Sequence, residues 1–261
     1  MEIINFTGYY YTIDKLLNKL SFEKRIKNND KVIIKPNLLE DVPPPCTTDV
    51  RCVEAVVSYL LERKSNLKIS VLEGSGGCDT WKAFNVLGYN QVAKKYDIKL
   101  IDVDECRLVK LKNQDALAYK EIYLPEEVFS SFFISMPTLK VHSMTTVTLG
   151  LKNLIGLLPK KYYGRYLSYN RSDVHRVGVN KAIYDLNNYV SIDMTIIDGR
   201  VGQQGSHTRW GKRCNPPKNV IIGGYDALEV DIQGARILGY DWERIKHLKV
   251  LSKREIFKEG N

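Results

Sequence analysis

Cysteine is scarce in this sequence, and the cysteines form no tight cluster. The 261 residues include five cysteines, an odd number, and none belongs to a CxxC pair. Neither a disulfide framework nor a self-contained zinc or iron–sulfur motif is therefore indicated. We expect reduced thiols, and distant residues could still converge on a metal ion. The cysteines are Cys46, Cys52, Cys78, Cys106 and Cys214.

Long apolar runs, repeats and low-complexity linkers are also missing. No window approaches the roughly 18 consecutive apolar residues of a membrane-spanning helix. The first residues lack the basic-then-apolar order of a signal peptide. We therefore expect a soluble cytoplasmic protein with no membrane span. Because no internal repeat is found, one α/β domain over residues 1–261 is predicted.

Acidic residues are fewer than basic residues in this sequence. The chain has 39 Lys and Arg against 30 Asp and Glu, which gives a formal net charge of +9. This excess favours a negatively charged partner: nucleic acid, an anionic membrane surface or an acidic small ligand.

One stretch concentrates basic and aromatic residues. Over residues 160–171, four basic residues alternate with Tyr162, Tyr163, Tyr166 and Tyr169. Such a stretch can bind phosphates and stack bases, or it can be a solvated loop with half-buried tyrosines. Together with the basic residues of 209–213, it makes nucleic-acid binding one alternative function.

Short β-branched apolar runs recur, and amphipathic stretches follow most of them. This alternation predicts an α/β fold with a mostly parallel sheet flanked by helices. The predicted strands are 31–35, 68–72, 98–102, 132–136, 194–198 and 220–223. The predicted helices are 49–63, 81–95 and 226–238, with Thr47, Thr48 or Asp49 capping the first and Asp226 the last.

Two segments depart from that alternation. Residues 108–127 alternate polar and apolar side chains, which predicts a small β-hairpin insertion ended by Pro125. Residues 199–219 are rich in glycine and polar side chains and form the longest predicted loop.

Polar residues follow the predicted strands. Ligands of open α/β sheets bind beyond the carboxyl ends of the strands, so we expect these residues to form one site. The candidate ligand-binding residues are Lys35, Asn37, Thr47, Thr48, Gly74, Ser75, Gly76, Lys140, Thr145, Thr148 and Asn153. The candidate catalytic residues are His142, Lys152, Glu73 and Asp198.

The turn GSGGCD at 74–79 lies between a predicted strand and a helix. Its backbone amides could hold an anion, or it could be a plain tight turn. It lacks the Gly-Lys-Ser/Thr ending of a P-loop and the third glycine of GxGxxG.

The segment 137–156 places lysines, a histidine and hydroxyls in an otherwise apolar region. Burying such groups unpaired is costly, so we expect them to face a polar cleft. Lys140 and Lys152 could each clamp an anion, and a desolvated lysine near another cation could become nucleophilic. His142 could be a metal ligand, a general acid or base, or an ordinary hydrogen-bonded histidine. His175 and His207 are possible further ligands.

The motifs VIIKPNLL, TTDV, VLEGSG, LIDVDE, ISMPTLKVHSMTTVTLGLKNLIGLLP, IIDG and GGYDALEVDIQGARILGYD occur in that order between residues 31 and 251. In their order and spacing, the chain resembles the domain-of-unknown-function 362 family. Members of that family frequently carry a ferredoxin-like module, which implies a possible ferredoxin-like redox partner. This sequence lacks the cysteine clusters of such a module, and GRVGQQGSHTRWGKR stands where the family commonly has an acidic loop.

A looser resemblance links the chain to the N-terminal domain of lactate racemase-like proteins. There, a His and a Lys ten positions apart lie near a nickel-carrying nucleotide cofactor, and His142 and Lys152 have that separation. The resemblance implies an anionic nucleotide-type cofactor or a divalent metal, with the lysine anchoring the anion.

We expect an enzyme that binds a small phosphate- or carboxylate-bearing ligand at the carboxyl edge of the sheet. Lys35, Lys140 and Lys152 would neutralise the anion, and His142 would supply acid/base or metal-binding capacity. The alternatives are nucleic-acid binding and a metal or redox partner in which Cys46, Cys52 or Cys78 meets His142.

Overall fold

A computed structural model describes residues 1–27, 30–164 and 171–258, with side chains described up to residue 253. The strands are β1 Glu2–Asn5, β2 Lys31–Pro36, β3 Lys68–Glu73, β4 Lys99–Asp102, β5 Leu108–Lys112, β6 Glu121–Pro125, β7 Phe132–Met136, β8 Thr138–His142, β9 Thr146–Thr148, β10 Met194–Gln204, β11 Lys212–Arg213 and β12 Val220–Gly224. The α-helices are α1 Tyr9–Lys19, α2 Val50–Arg63, α3 Thr80–Val86, α4 Tyr89–Tyr96, α5 Gly150–Asn153, α6 Lys160–Tyr163, α7 Asp173–Val177, α8 Val179–Tyr189, α9 Ala227–Ile237 and α10 Lys246–Lys258. Short 3₁₀ turns cover Phe22–Lys24, Glu126–Phe129, Leu154–Leu157 and Trp242–Arg244.

In the described part of the chain, a mixed sheet of ten strands has a parallel centre. Its main path is β1-β12-β10-β7-β2-β3-β4, with β8, β9 and β11 joined beside β10. The pairs from β10 through β7, β2 and β3 to β4 are parallel, while β12 is antiparallel to both its neighbours. The predicted α/β fold with a mostly parallel sheet is confirmed.

The order of the parallel strands reverses beside β2. The chain adds β3 and β4 on one side of β2 and then adds β7 and β10 on its other side. In doubly wound sheets such a reversal opens a crevice beyond the carboxyl ends of the two strands that flank it. We call the gap between the ends of β2 and β7 the switch point.

Helices cover both faces of the sheet, so the central strands are apolar on both sides. In β2, Val32 and Ile34 belong to a core shared with α1 and α2. Ile33, between them, belongs to a second core shared with α8 and α9. This two-sided burial explains why β2 reads as a continuous apolar run rather than an alternating one.

The predicted helices at 49–63 and 226–238 are confirmed, with Asp49 and Asp226 as their N-caps. The single predicted helix at 81–95 is wrong, because α3 ends at Val86 and α4 begins at Tyr89. Gly88 lies between them with φ +89°, a left-handed conformation that interrupts the helix and that glycine adopts without steric cost.

The insertion at 108–127 is the predicted hairpin, in which β5 and β6 pair in register and β6 ends at Pro125. The predicted loop at 199–219 is wrong at its start and at residues 212–213. Strand β10 continues to Gln204, and β11 pairs back onto Gln203 and Gln204. The strand extends because β8, β11 and β12 all supply hydrogen-bonding partners along it.

Candidate functional site

Two adjoining cavities open at the switch point, and together we call them the switch cleft. The larger has a volume of about 130 Å³ and the smaller about 70 Å³. The residues that line both are Asn37, Leu39, Gly76, Lys152, Ile155 and Arg171. The larger cavity is also lined by Lys140, His142, Thr148, Val174, His175, Val179 and His207. The smaller cavity adds Lys35, Glu73, Gly74, Asn153 and Gly156.

Two larger cavities lie elsewhere on the molecule. One of about 500 Å³ follows the amino ends of β2, β3 and β4, and one of about 300 Å³ lies between α8 and the start of α9. Among their described lining residues there is neither a histidine nor a buried lysine. The switch cleft is therefore the better candidate site on chemical grounds.

Asn153 fixes the floor of the cleft. Its Nδ2 donates to the carbonyl oxygens of Lys35 (3.0 Å) and Pro36 (3.2 Å) and to Oγ of Ser135 (3.2 Å). These contacts join the ends of β2 and β7 across the switch point. Its Oδ1 accepts a hydrogen bond from Asn37 (3.1 Å), so the side chain ties together both walls of the gap.

Asp231 positions the short helix α5 that carries Lys152. This buried side chain on α9 accepts hydrogen bonds from the amides of Gly150 (2.7 Å) and Leu151 (2.9 Å). The first turn of a helix has amides without intrahelical partners, and a carboxylate stabilises them. Burial raises the pKa of Asp231 to about 7, while the two amides act in the opposite direction.

Lys35 and Glu73 form a buried ion pair at the base of the smaller cavity. Their side chains are 1% and 3% exposed, and Nζ lies 2.5 Å from Oε1. Glu73 also accepts from the amides of Leu38 (2.9 Å) and Gly74 (2.8 Å). Burial lowers the pKa of Lys35, and the carboxylate of Glu73 offsets that effect. The charge of Lys35 is therefore already compensated within the protein.

Lys140 is the most deeply buried cation of the larger cavity. The residue is 1% exposed, and its Nζ donates to the carbonyl oxygens of Cys46 (2.7 Å) and His207 (3.2 Å). Within the described residues no carboxylate lies within ion-pairing distance of it. Burial lowers the pKa of Lys140 to about 8, so it stays largely charged at neutral pH.

Lys152 lies where the two cavities meet. Burial lowers its pKa to about 7, and the nearby charges of Lys140 and Lys35 act in the same direction. About half of the Lys152 side chains are consequently uncharged near pH 7. Lys140 and Lys152 are both candidate site residues of the sequence, and the structure brings them together in the larger cavity.

His142 and His207 form one wall of the larger cavity. Their rings stack, with centroids 3.8 Å apart and planes 23° apart. The Met144 amide donates to Nδ1 of His142 (3.1 Å), so the hydrogen of the neutral ring is on Nε2. Burial lowers the pKa of both, that of His207 to about 4, and the charge of Lys152 lowers both further. Both rings are neutral at physiological pH.

Arg171 closes the cleft from the other side. This buried residue donates from Nε to the Leu158 carbonyl (2.7 Å) and from Nη1 to the Ser75 carbonyl. A side chain at Gly74 would overlap Arg171 and come within 2.6 Å of the Gly156 carbonyl. Glycine at position 74 is thus required by the close approach of these groups.

The remaining glycines of the turn at 74–79 also serve packing. A side chain at Gly76 or Gly77 would come within 2.9 Å of Leu39 or Glu40. The amides of Gly74, Ser75 and Gly77 already donate to protein oxygens, and Asp79 caps α3. Of the two interpretations of this turn, the geometry favours the tight turn.

Some predicted site residues lie outside the cleft lining. Thr47 and Thr145 bond the carbonyl oxygens of Val42 and Val147. Thr48 accepts from the Asn37 amide and donates to the Met136 carbonyl, so it supports the cleft from behind. Ser75 contributes its carbonyl oxygen to Arg171, as described above. The predicted site residues that line neither cavity of the switch cleft are therefore Thr47, Thr48, Ser75, Thr145 and Asp198.

Asp198 belongs to a different cluster. Its carboxylate accepts from the Tyr9 hydroxyl (2.9 Å) and the Arg200 amide (3.1 Å). The Arg200 side chain in turn bonds Tyr9 (3.0 Å) and Asp49 (3.3 Å). Burial raises the pKa of Asp198. None of these partners lines the switch cleft, so Asp198 is not placed to act with His142.

The five cysteines are free thiols. Cys46 lies beside the cleft, where its Sγ donates to the His207 carbonyl (3.8 Å), whereas Cys52 is buried against α1 near Tyr9. No three His, Cys, Asp or Glu side chains of the described residues converge as a metal site. His142 and His207 face each other ring to ring, so they do not point at a common metal position.

The basic tract at 160–171 is described at residues 160–164 and 171, and 165–170 lie outside the described residues. Tyr163 is buried, and Tyr162 stacks on Tyr123 with centroids 4.0 Å apart. Lys160 pairs with Asp104 (3.3 Å). The described part of the tract therefore packs largely against the body of the protein.

Sequence reasoning missed several cleft residues or gave them another role. From the sequence, Arg171 belongs to the basic tract, and His175 and His207 are possible further ligands. No local pattern marks Leu39, Ile155 or Gly156. Leu39 follows the end of β2, and Ile155 and Gly156 lie in the 3₁₀ turn after α5, so only the folded chain brings them to the switch point.

No helix among the described residues combines the length and the apolar character needed to cross a membrane.

The chain matches the family described as "Domain of unknown function (DUF362)" over residues 32–236, and it belongs to that family. A thylakoid-associated protein of Synechocystis sp. is 26% identical over 221 residues, which are 83% of this chain and 65% of the relative. The resemblance to lactate racemase-like proteins stays a prediction.

Proposed function

We propose that this DUF362 member is an enzyme that binds a small phosphate- or carboxylate-bearing molecule in the switch cleft. The observation that carries the proposal is the buried ammonium of Lys140, which bonds two carbonyl oxygens and has no carboxylate partner among the described residues. A buried charge without a counter-ion is costly, and an anionic ligand would remove that cost. Lys152 on the same cavity adds to the positive potential, and so does Arg171, whose charge is partly offset by Asp104 (3.6 Å).

Unsatisfied polar atoms in the cleft support a bound ligand. Oδ1 of Asn37, Oγ1 of Thr148 and Nδ1 of His207 are buried and have no hydrogen-bond partner among the described residues. All three residues line the larger cavity. Buried polar atoms normally have partners, so these are the atoms that a ligand with its own donors and acceptors would satisfy.

The cleft dimensions limit the ligand to a small one. Cavities of 130 and 70 Å³ are smaller than the roughly 300–1,000 Å³ of pockets that hold drug-sized ligands. Lys140 and Arg171 are held in place by carbonyl oxygens and would bind the anionic group. His142 presents a neutral ring with Nε2–H, which suits a hydrogen-bond donor rather than a cation.

Calorimetric titration with inorganic phosphate and with pyruvate tests this proposal. The Lys140→Met variant should weaken binding at least tenfold, about 1.4 kcal/mol. Lys68→Met is the matched control, because this exposed lysine begins β3 at the opposite edge of the sheet. Absence of binding to wild-type protein, or equal loss in both variants, would refute the proposal. Native mass spectrometry of gently purified protein would reveal a co-purifying small molecule.

We propose the cytoplasm as the site of action, with contact to membrane surfaces as a second candidate. The relative's name records association with thylakoids. In this chain Trp210 is 82% exposed, and the exposed residues Lys212 and Arg213 follow it. Tryptophan and basic residues together favour the interface of an anionic bilayer. Co-sedimentation with anionic vesicles, lost in Trp210→Ala, tests this candidate.

The other functions considered from the sequence stay predictions. Binding of nucleic acid through 160–171 and 209–213 predicts an affinity that falls steeply with salt, because phosphate contacts release counter-ions. A ferredoxin-like redox partner predicts a complex that shows up in a titration with reduced ferredoxin. An anionic nucleotide-type cofactor would appear in the native mass spectrum described above.

A further inference from the structure

Lys152 differs from the other cations of the switch cleft. Lys35 is paired with Glu73, Lys140 bonds two carbonyl oxygens, and Arg171 bonds the carbonyls of Leu158 and Ser75. Among the described residues, the Lys152 amine has no hydrogen-bond or ion-pair partner. Its amine is thus the one that the protein leaves available to a ligand.

The backbone that carries Lys152 is held on both sides. Asp231 bonds the two preceding amides, at Gly150 and Leu151. The following residue, Asn153, bonds the ends of β2 and the Ser135 hydroxyl. The lysine therefore extends from a fixed turn into the point where the two cavities meet.

The surroundings of Lys152 disfavour a charged amine. Lys140 and Lys35 add positive charge, and burial acts in the same direction, which together lower its pKa to about 7. The carboxylate among the lining residues of the cleft, Glu73, is occupied by Lys35 and by the amides of Leu38 and Gly74. An uncharged lysine is a poor anion clamp but a good nucleophile.

Hydrogen-bond donors suited to a carbonyl oxygen lie in the same cavity. The Thr148 hydroxyl is buried without a partner among the described residues, and His142 carries its hydrogen on Nε2. Both line the larger cavity with Lys140, to which the proposed function assigns the negative group of the ligand. The cleft thus combines an anion site, donors for a carbonyl oxygen and a free amine.

We propose that Lys152 is a catalytic residue that forms an imine with a small carbonyl compound bearing a carboxylate or phosphate group. This inference rests on the proposed function, since the anion site orients the carbonyl compound. The Nζ lone pair adds to the carbonyl carbon, and the oxygen gains one amine proton to give a carbinolamine. The hydroxyl then leaves with the second amine proton as water, which forms the C=N bond and needs no oxidant.

Borohydride trapping of the full chain tests the imine. The protein is incubated at pH 7 with pyruvate or with glycolaldehyde phosphate, reduced, and analysed by intact mass and peptide mapping. Reduction delivers hydride to the C=N bond and leaves a stable secondary amine. Because an ordinary lysine is uncharged only about once in 10³ at pH 7, Lys152 should be labelled far more than surface lysines. The two probes distinguish a carboxylate-bearing ligand from a phosphate-bearing one.

The control variant is Lys152→Arg, which keeps the positive charge but cannot form an imine, and its folding is checked by circular dichroism. Adduct on Lys152 in the wild type with either probe, absent from Lys152→Arg, supports the proposal. Calorimetric binding of pyruvate or phosphate without any adduct on Lys152 refutes imine formation and leaves the proposed function standing. Absence of both binding and adduct refutes the two together.

Discussion

The imidazole rings of His142 and His207 stack face to face with their centroids 3.8 Å apart. One ring ends β8 and the other belongs to the turn between β10 and β11. Protonating either ring would place a charge against its neighbour and near Lys152. The stacking that forms this wall of the larger cavity therefore depends on both rings being neutral.

We predict that His207→Gln makes the protein less sensitive to acid. The pKa of His207 is about 4 in the folded chain and about 6.5 in an unfolded one. Between these values the unfolded chain binds a proton that the folded chain does not, so stability falls as pH falls through this window. Between pH 7 and pH 5, the free energy of unfolding should decrease by about 1–2 kcal/mol less in the variant than in the wild type. Urea unfolding at the two pH values measures this difference. The exposed His175→Gln serves as control, and equal losses in wild type and His207→Gln would contradict the prediction.

The Lys35–Glu73 pair predicts a strongly non-additive mutant cycle. Glu73→Gln leaves the ammonium of Lys35 buried without a counter-ion, and breaking a buried pair typically costs about 3–5 kcal/mol. In the double variant Lys35→Met/Glu73→Gln the stranded charge is gone, so the loss should be smaller than in Glu73→Gln alone. Denaturant unfolding of the variants measures this. Additive losses would show that the two side chains act independently.

The reactivity of Lys152 should follow an unusually low pKa. Dilute acetic anhydride, used as a competitive label with the exposed Lys68 as internal reference, should acetylate Lys152 with a midpoint near pH 7. Lys140→Met removes one of the nearby positive charges, so the midpoint of Lys152 should move upward. A Lys152 profile that matches Lys68, or one that does not respond to Lys140→Met, would contradict the electrostatics described for the cleft.

Asp231 is predicted to act on the cleft without touching it. In the wild type, the two carboxylate oxygens of Asp231 accept hydrogen bonds from the amides of Gly150 and Leu151. In Asp231→Asn, one oxygen is replaced by an NH₂ group, which faces one of these amides and cannot accept its hydrogen bond. The expected loss of stability is about 1–3 kcal/mol, with weaker phosphate binding because α5 and Lys152 shift. Asp226→Asn is the matched control on the same helix, since asparagine also caps well. Unchanged phosphate affinity in Asp231→Asn would show that α5 keeps its place by other contacts.

Local sequence patterns predicted the framework well, because local physics determines it. The run KVIIK became the central strand β2, and Asp226 caps α9 as its position before the apolar pattern indicates. Residues 108–127 alternate because one face of the β5–β6 hairpin packs on the second core, which includes Ile122 and Leu124.

Features that depend on distant partners escaped prediction. Strand β10 runs to Gln204 because neighbouring strands supply its hydrogen bonds, and the polar residues there carry no strand pattern. Arg171 reads as part of a basic tract, yet it is turned inward by carbonyl acceptors on Leu158 and Ser75. Asp198 ends the strand predicted at 194–198, but in the structure it lies within β10 and its carboxylate bonds Tyr9 on α1.

The contacts of Lys140 have an evolutionary consequence. Its ammonium bonds the backbone oxygens of Cys46 and His207, and every amino acid has such an oxygen. The two loops it joins can accordingly change their side chains over evolutionary time without releasing the lysine. Homologues are therefore expected to keep a lysine at position 140. Positions 46 and 207, whose carbonyl oxygens this lysine bonds, are expected to vary more.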